Sequence, residues 1–245
     1  MKRPMWDFEW QKIKFASLNY PLNFFKRPSS DFYSKFYSEL FRKYESYDSL
    51  PSECLAQKSQ TAIEINKLLS EDLRILSVGS GIGFIEKTLV SLSPKISIDS
   101  YDFSDSSSRW LTEVNGVNLL NSLDKNLKYD FIFCTQLLYA LSDKEILKFA
   151  DFVKSKLKTN GRFLTVDTSL IETENGGVGN QKSLSSLFKN LLRPTFFLLF
   201  KRKKAQFWGW QRDNAHLEKI FCKSDMVLSK KFAAASQSFL IFEFE

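Results

Sequence analysis

Histidine, glycine and proline are scarce in this chain, with one His, nine Gly and six Pro among 245 residues. A single imidazole, His216, excludes a multi-histidine metal site. Cys54, Cys134 and Cys222 are an odd number of thiols, far apart and without a C-x-x-C pair. That spacing argues against a disulfide framework or a structural zinc, and for a reducing compartment. No run of about 18 apolar residues occurs, so no helix is expected to span a bilayer. Met1–Trp10 lacks the apolar stretch and cleavage site of a secretory signal. A cytoplasmic protein without a metal is the expectation.

Aromatic residues are abundant instead: 24 Phe, 8 Tyr and 5 Trp. Charge is balanced towards the basic side, at +7, which keeps an anionic partner such as RNA in view without requiring one. Residues 1–70 read as an N-terminal helical cap. Phe32, Phe36 and Leu40, with Tyr33, Tyr37, Phe41 and Tyr44, recur at three- and four-residue spacing after Pro28-Ser29-Ser30. Most of that stripe is expected to be buried, and a minority of it to line a pocket. Pro51 ends the pattern, and Glu53–Leu69 reads as a second helix.

From residue 71 the rhythm changes. Strand-like runs at Leu73–Val78, Lys95–Asp102, Gly116–Leu120, Tyr129–Cys134 and Arg162–Asp167 alternate with helical patterns at Phe84–Leu92, Ser104–Val114 and Asp143–Leu157. This order predicts an α/β fold, a doubly wound, mostly parallel seven-stranded sheet. Met226–Phe232 and Ser238–Glu245, separated by a short loop, predict a C-terminal antiparallel hairpin. An insertion at about 170–212 interrupts residues 71–245, and Asn214–Cys222 reads as helix.

Ile75–Leu89 carries the strongest signal. A strand runs into Gly79-Ser80-Gly81-Ile82-Gly83 and then directly into a helix. Such a turn permits positive φ and close approach of a ligand to main-chain amides. A dinucleotide fingerprint needs a small residue where Phe84 stands, so the pattern is G-x-G-x-G rather than G-x-G-x-x-G. About 20 residues further, Asp102 ends the next strand, where an acid can accept both hydroxyls of a ribose. A nucleoside-containing ligand without a pyrophosphate suits this spacing.

On these residues the chain resembles the class I S-adenosylmethionine-dependent methyltransferase family, closely over Leu73–Ser169 and loosely over the C-terminal strands. Val78–Gly83 (VGSGIG) resembles the family's first motif, which implies contact of Val78, Gly79, Ser80, Gly81 and Gly83 with the cofactor's methionine part. The same resemblance implies that Asp102 holds the ribose and that Phe103 packs near the adenine. Cys134, Thr135 and Gln136 then belong to the segment running beside the transferred methyl. Leu157–Phe163 is similar to the turn before the family's fifth strand. The chain departs from the pattern at Ser77, where an acid is usual, and at Ala140, where a histidine is common. It also has no clear acid for the adenine amino group over Asn118–Asp124, where Asn121 is a guess.

The resemblance implies methyl transfer from S-adenosylmethionine. Transfer needs an aligned acceptor, and a base only where the acceptor loses a proton. Candidate catalytic residues are Asp167, Tyr139 and His216, with Gln136 and Glu172 beside them. His216 opens a predicted helix, where capping is the alternative role; Glu86 is expected to offset a helix dipole. The acceptor expected is an oxygen of a small molecule, sugar or glycan, free or lipid-linked. RNA methylation and a non-catalytic, membrane-associated binding module are the alternatives. The apolar and basic segment 189–210, through Lys201–Lys204 and Phe207–Trp210, reads either as a lid over the acceptor pocket or as peripheral contact with an anionic inner membrane face. Oligomeric state is not legible.

Overall fold

The computed structural model describes residues 2–104, 107–124, 126–167 and 205–244. Segment 168–204, with Leu170, Glu172 and the basic run at 201–204, lies outside the described residues.

Seven strands form the central sheet: β4 (Ile75–Val78), β5 (Ile98–Tyr101), β6 (Val117–Leu119), β7 (Tyr129–Thr135), β8 (Leu157–Asp167), β10 (Val227–Ala234) and β11 (Gln237–Glu243). Their order is β10-β11-β8-β7-β4-β5-β6. β4 pairs in parallel with β5 and β7, β5 with β6, and β7 with β8. β11 inserts antiparallel between β8 and β10, so the expected hairpin closes one edge. The order reverses at β4, with β5 and β6 on one side and β7 and β8 on the other. Open α/β sheets bind ligands beyond the strand ends at such a switch point.

Alternation along the strands sends side chains to two cores. Ile75, Phe131 and Phe133 pack with Ala62, Ile65, Ile85 and Leu89 on one face. These come from α2 (Ser52–Asn66) and α3 (Phe84–Leu92). Leu76, Ile132 and Cys134 pack on the other with Ile146, Ala150, Val153 and Phe221, from α4 (Asp143–Lys156) and α5 (Asn214–Phe221). Ser142 and Glu145 form a capping box at the start of α4, which fixes where the chain turns after β7.

The N-terminal region differs from its sequence reading. It opens with strands, β1 (Lys2–Asp7), β2 (Glu9–Trp10) and β3 (Ile13–Lys14), before α1 (Ser30–Lys43). β1 pairs antiparallel with β9 (Gln206–Arg212) at the end of the insertion. A strand whose partner lies some 200 residues away leaves no local helix-versus-strand signature, because its pairing is tertiary. Trp6 and Trp10 are anchored by rings, Trp6 stacking on Phe24 and Trp10 on Phe36. Ser104–Val114, expected as a helix, contains only a short 3-10 turn, Leu111–Glu113, among its described residues. Three nearby serine hydroxyls compete for the backbone there, and Ser107 Oγ donates to Ser104 O.

Trp208 ties the cap to the sheet. It is buried and stacks on Phe15 and Tyr139, with Trp10 and Phe32 edge-on. Phe207 is buried too. The part of the supposed membrane-contact segment that is described therefore faces the protein interior, because the indole and phenyl rings fill the space between cap and sheet. Among the described residues no helix is long and apolar enough to cross a membrane.

Candidate functional site

At the carboxyl ends of β4, β5 and β7 lies a cavity of about 330 Å³. Gly79, Ser80, Gly81 and Ile82 line it from the turn after β4; Asp102, Phe103 and Ser104 from beyond β5; and Thr135, Gln136 and Leu137 from the end of β7. The cap supplies the rest of the wall, chiefly Trp10, Gln11, Arg27, Tyr33, Tyr37 and Lys58.

The glycine turn is held from several sides. Gly83 has φ +76° and caps α3, and a Cβ there would come within 2.4 Å of Leu111 Cδ1. Gly81 has φ +56°, and a Cβ would meet Tyr37 Oη at 3.2 Å. Its amide donates to Asp102 Oδ2 at 2.8 Å, while Asp102 Oδ1 accepts from the Ser104 amide at 2.8 Å. The acid thus faces the turn and joins two strand ends. Tyr47 Oη donates to Ile82 O at 2.6 Å from the cap side. Gln136 takes φ +50°, a costly conformation for a non-glycine residue, at the cavity wall.

Behind the turn, Ser77 Oγ donates to Glu86 Oε1. Glu86 is buried, contrary to its expected role as an exposed partner of the helix dipole, and its Oε2 has no hydrogen-bond partner. Burial raises its pKa from an ordinary 4.5 to about 7, against the opposing Ser77 hydroxyl. The carboxyl missing from position 77 thus reaches β4 from α3, one helical turn past the glycines.

Of the residues named from sequence, Gly79, Ser80, Gly81, Asp102, Phe103, Thr135, Gln136 and Tyr139 share this cavity. Val78, Gly83 and Cys134 do not line it. Cys134 is fully buried, its Sγ 3.6 Å from Thr165 Oγ1, and burial pushes its pKa up. Phe103 is 59% exposed and meets the Tyr33 ring edge-on.

Asp167 and His216 stand away from the wall. Asp167 is buried at the end of β8, accepting from Thr165 Oγ1 at 2.8 Å, with Oδ1 unpartnered. Burial raises its pKa to about 7, opposed by the Thr165 hydroxyl, the Arg212 charge and the nearby amides of Tyr139 and Leu138. His216 lies in the first turn of α5, where its amide donates to the cap residue Asp213. Its Nε2 is 3.1 Å from Asp143 Oδ2. The imidazole belongs to an ion cluster with Lys2 and Arg212. Local capping explains the position, since Asp213 precedes the helix as a good N-cap.

Tyr33 and Tyr139 interact through their side chains at the cavity. Burial pushes the Tyr33 pKa to about 12 and those of Tyr37 and Tyr139 well up. None of the three phenols is therefore ionised near neutral pH. Among the described residues Asp102 is the one carboxylate on the wall, and no imidazole lines it. Trp10, Gln11, Arg27 and Lys58 went unread in the sequence. Single polar or aromatic residues outside a periodic face carry no local signal of a shared cavity.

No protein-family model matches the chain, and no curated protein matches it. Solved structures do. A methyltransferase of calicheamicin biosynthesis, with S-adenosylhomocysteine bound, superposes with a TM-score of 0.58 at 16% identity, covering 78% of this chain and 54% of that one. Human N-acetylserotonin methyltransferase with S-adenosylmethionine gives 0.58 at 13% identity, covering 88% and 56%. An O-methyltransferase family 2 protein from Planctomyces limnophilus, in complex with apigenin, gives 0.57 at 14%, covering 91% and 63%. The chain spans a little over half the length of these proteins. Identity this low speaks to architecture. The strand order, the antiparallel edge and these superpositions together give the chain the class I S-adenosylmethionine-dependent methyltransferase fold.

Proposed function

We propose that the protein is an S-adenosylmethionine-dependent methyltransferase whose acceptor is an oxygen of a small molecule. The observation that carries this reading is the meeting of the glycine turn and Asp102 at one cavity, joined by the Gly81 amide. The residues present suit a nucleoside cofactor. Gly81 keeps the wall open where a side chain would press on Tyr37, and Ser80 Oγ is buried without a partner. Each Asp102 oxygen accepts one amide bond and keeps lone-pair capacity for a sugar hydroxyl. Solved proteins of this fold that hold the cofactor or its product support the assignment. The apigenin complex of another supports a small acceptor.

When bound, the cofactor supplies a methyl group on a sulfonium, already activated towards a nucleophile. The chain's task is then alignment and exclusion of water, effects worth several powers of ten in rate. Gly79–Ile82, Asp102 and Phe103 hold the nucleoside side, and Thr135, Gln136 and Leu137 the reacting end. Tyr139, with Tyr33, meets the acceptor, and the elevated phenol pKa values make both of them hydrogen-bond donors rather than bases. Arg27, fixed by Ala140 O and by Glu145 at 2.7 Å, lends positive charge to an acceptor oxygen that loses its proton. Asp167 acts behind the Leu138–Tyr139 backbone as a positioning residue.

Isothermal titration with S-adenosylhomocysteine tests this. The wild type is expected to bind, and Asp102→Ala to bind at least about tenfold more weakly, the scale of a lost hydrogen bond to a charged group. Equal affinity in the two proteins rules the site out. Labelled cofactor incubated with fractionated extract then identifies the acceptor. Label in small organic, sugar or lipid-linked fractions refines the proposal, whereas label confined to RNA replaces its acceptor.

A further inference from the structure

Three charged side chains line the cavity, and two are already engaged. Asp102 accepts from two main-chain amides, and Arg27 donates to Ala140 O and Glu145. Lys58, on α2, is the third. It is half-buried and forms neither hydrogen bond nor ion pair with any described residue. A neighbouring cleft of about 370 Å³ shares it and also contains Glu9 and Glu53. Neither acid pairs with it, and Glu53 is instead 3.8 Å from Lys12. An ammonium without an anion at a cavity wall, next to the turn after β4, is a vacancy of specific sign.

A second observation marks the same wall independently. Ser80 Oγ is buried, lies on a cavity-lining residue of the glycine turn and has no hydrogen-bond partner. Buried hydroxyls in folded proteins are almost always bonded. A hydroxyl donor and a cation facing one cavity, with Asp102 at its other end, sort the space by charge. The acid end suits neutral hydroxyls, and the Lys58 end suits an anion.

We propose that Lys58 and Ser80 Oγ form the site that receives the carboxylate of the cofactor's amino-acid half. This rests on the methyltransferase reading and adds a cap residue to it, so that α2 senses whether a complete cofactor is present. A carboxylate withdrawn from water needs charge-assisted partners, and Lys58 is the one uncommitted cation on the described wall. The assignment also gives α2 a part in binding that the glycine turn alone does not.

The test compares two ligands by calorimetry on the full chain: S-adenosylhomocysteine, which carries the carboxylate, and 5′-methylthioadenosine, which lacks it. Lys58→Met is expected to weaken the first at least tenfold and to leave the second within about twofold. Lys58→Arg should retain affinity for both, and Ser80→Ala should lose about threefold for the first alone. Thermal melts of each variant report folding. Unchanged S-adenosylhomocysteine affinity in Lys58→Met overturns the assignment, as does an equal loss for both ligands. A wild type that binds neither ligand overturns the cofactor reading along with it. A wild type that binds both, with Lys58→Met showing no selectivity, overturns the Lys58 site alone.

Discussion

Asp102 and Trp10 face one cavity but reach it by different means. Asp102 follows a strand paired in parallel on both sides, and its carboxylate is fixed by amides two and 21 residues away. Trp10 sits on a two-residue strand and is held by stacked and edge-on rings from Phe36, Tyr37 and Trp208. Around it, Asn23 and Lys26 are bonded to Gln206 across about 180 residues of chain. The sheet half of the wall is ordered by backbone ladders, and the cap half by aromatic packing between distant segments. A site built this way can keep its nucleoside end rigid while the opposite wall depends on the cap being docked.

Trp208→Ala gives the largest effect that breaks or sharpens this contrast. The ring is only 7% exposed and contacts Trp10, Phe15, Phe32 and Tyr139. Its removal is expected to cost about 3–5 kcal/mol. Hydrogen exchange should show protection lost over β1 and β9 and around α1, but kept in β4 and β7. Equal loss in all of them would mean that cap and sheet unfold as one unit, and the contrast would fail.

The sheet half carries a titrating group that the sequence disguised. The folded protein holds a proton on Glu86 up to about pH 7, whereas an unfolded chain releases it near 4.5. The resulting stabilisation is complete below about 4.5 and is lost as pH rises to about 7. Asp167, raised from 3.8 to about 7, acts in the same direction. Glu86→Gln keeps an acceptor for Ser77 and removes one of the two titrations. Urea midpoints between pH 4.5 and 7.5 should therefore fall less steeply in the variant, by up to about 3 kcal/mol over the window. Parallel slopes would show that Glu86 ionises normally beneath the turn.

These regions also differ in how much of them the sequence disclosed. β4, the glycine turn and Asp102 were legible because their geometry is local. Glycines with positive φ, a strand ending in an acid, and period-two burial each leave a mark within a few residues. Tyr33 and Tyr37 were half-legible: their helical spacing placed them on a buried face, but not at the cavity. β1 was misread, because its partner is β9 and pairing across the whole chain has no short-range pattern. Glu86 was misassigned for a related reason. A glutamate in a first helical turn reads as solvent-facing, and only the three-dimensional approach of α3 to Ser77 buries it.

His216 provides the smallest expected change and the most direct check on which acid–base residues matter. Its imidazole is one of three positive or hydrogen-bonding partners of Asp143, with Lys2 at 2.9 Å and Arg212 at 2.8 Å. Partial burial raises the Asp143 pKa, but bonds from Lys2, Arg212 and His216 outweigh it and hold the value at about 2. With the two cations still in place, His216→Ala should alter stability by no more than about 0.5 kcal/mol, as for a partly exposed pair. Asp213 continues to cap α5 in the variant, because its bond goes to the main-chain amide of residue 216. A general base contributes about a hundredfold or more in rate. Turnover of the identified acceptor by His216→Ala should instead stay within about twofold of the wild type. A fall of two orders of magnitude would bring the imidazole to the acceptor and move the chemistry from the sheet's strand ends towards α5.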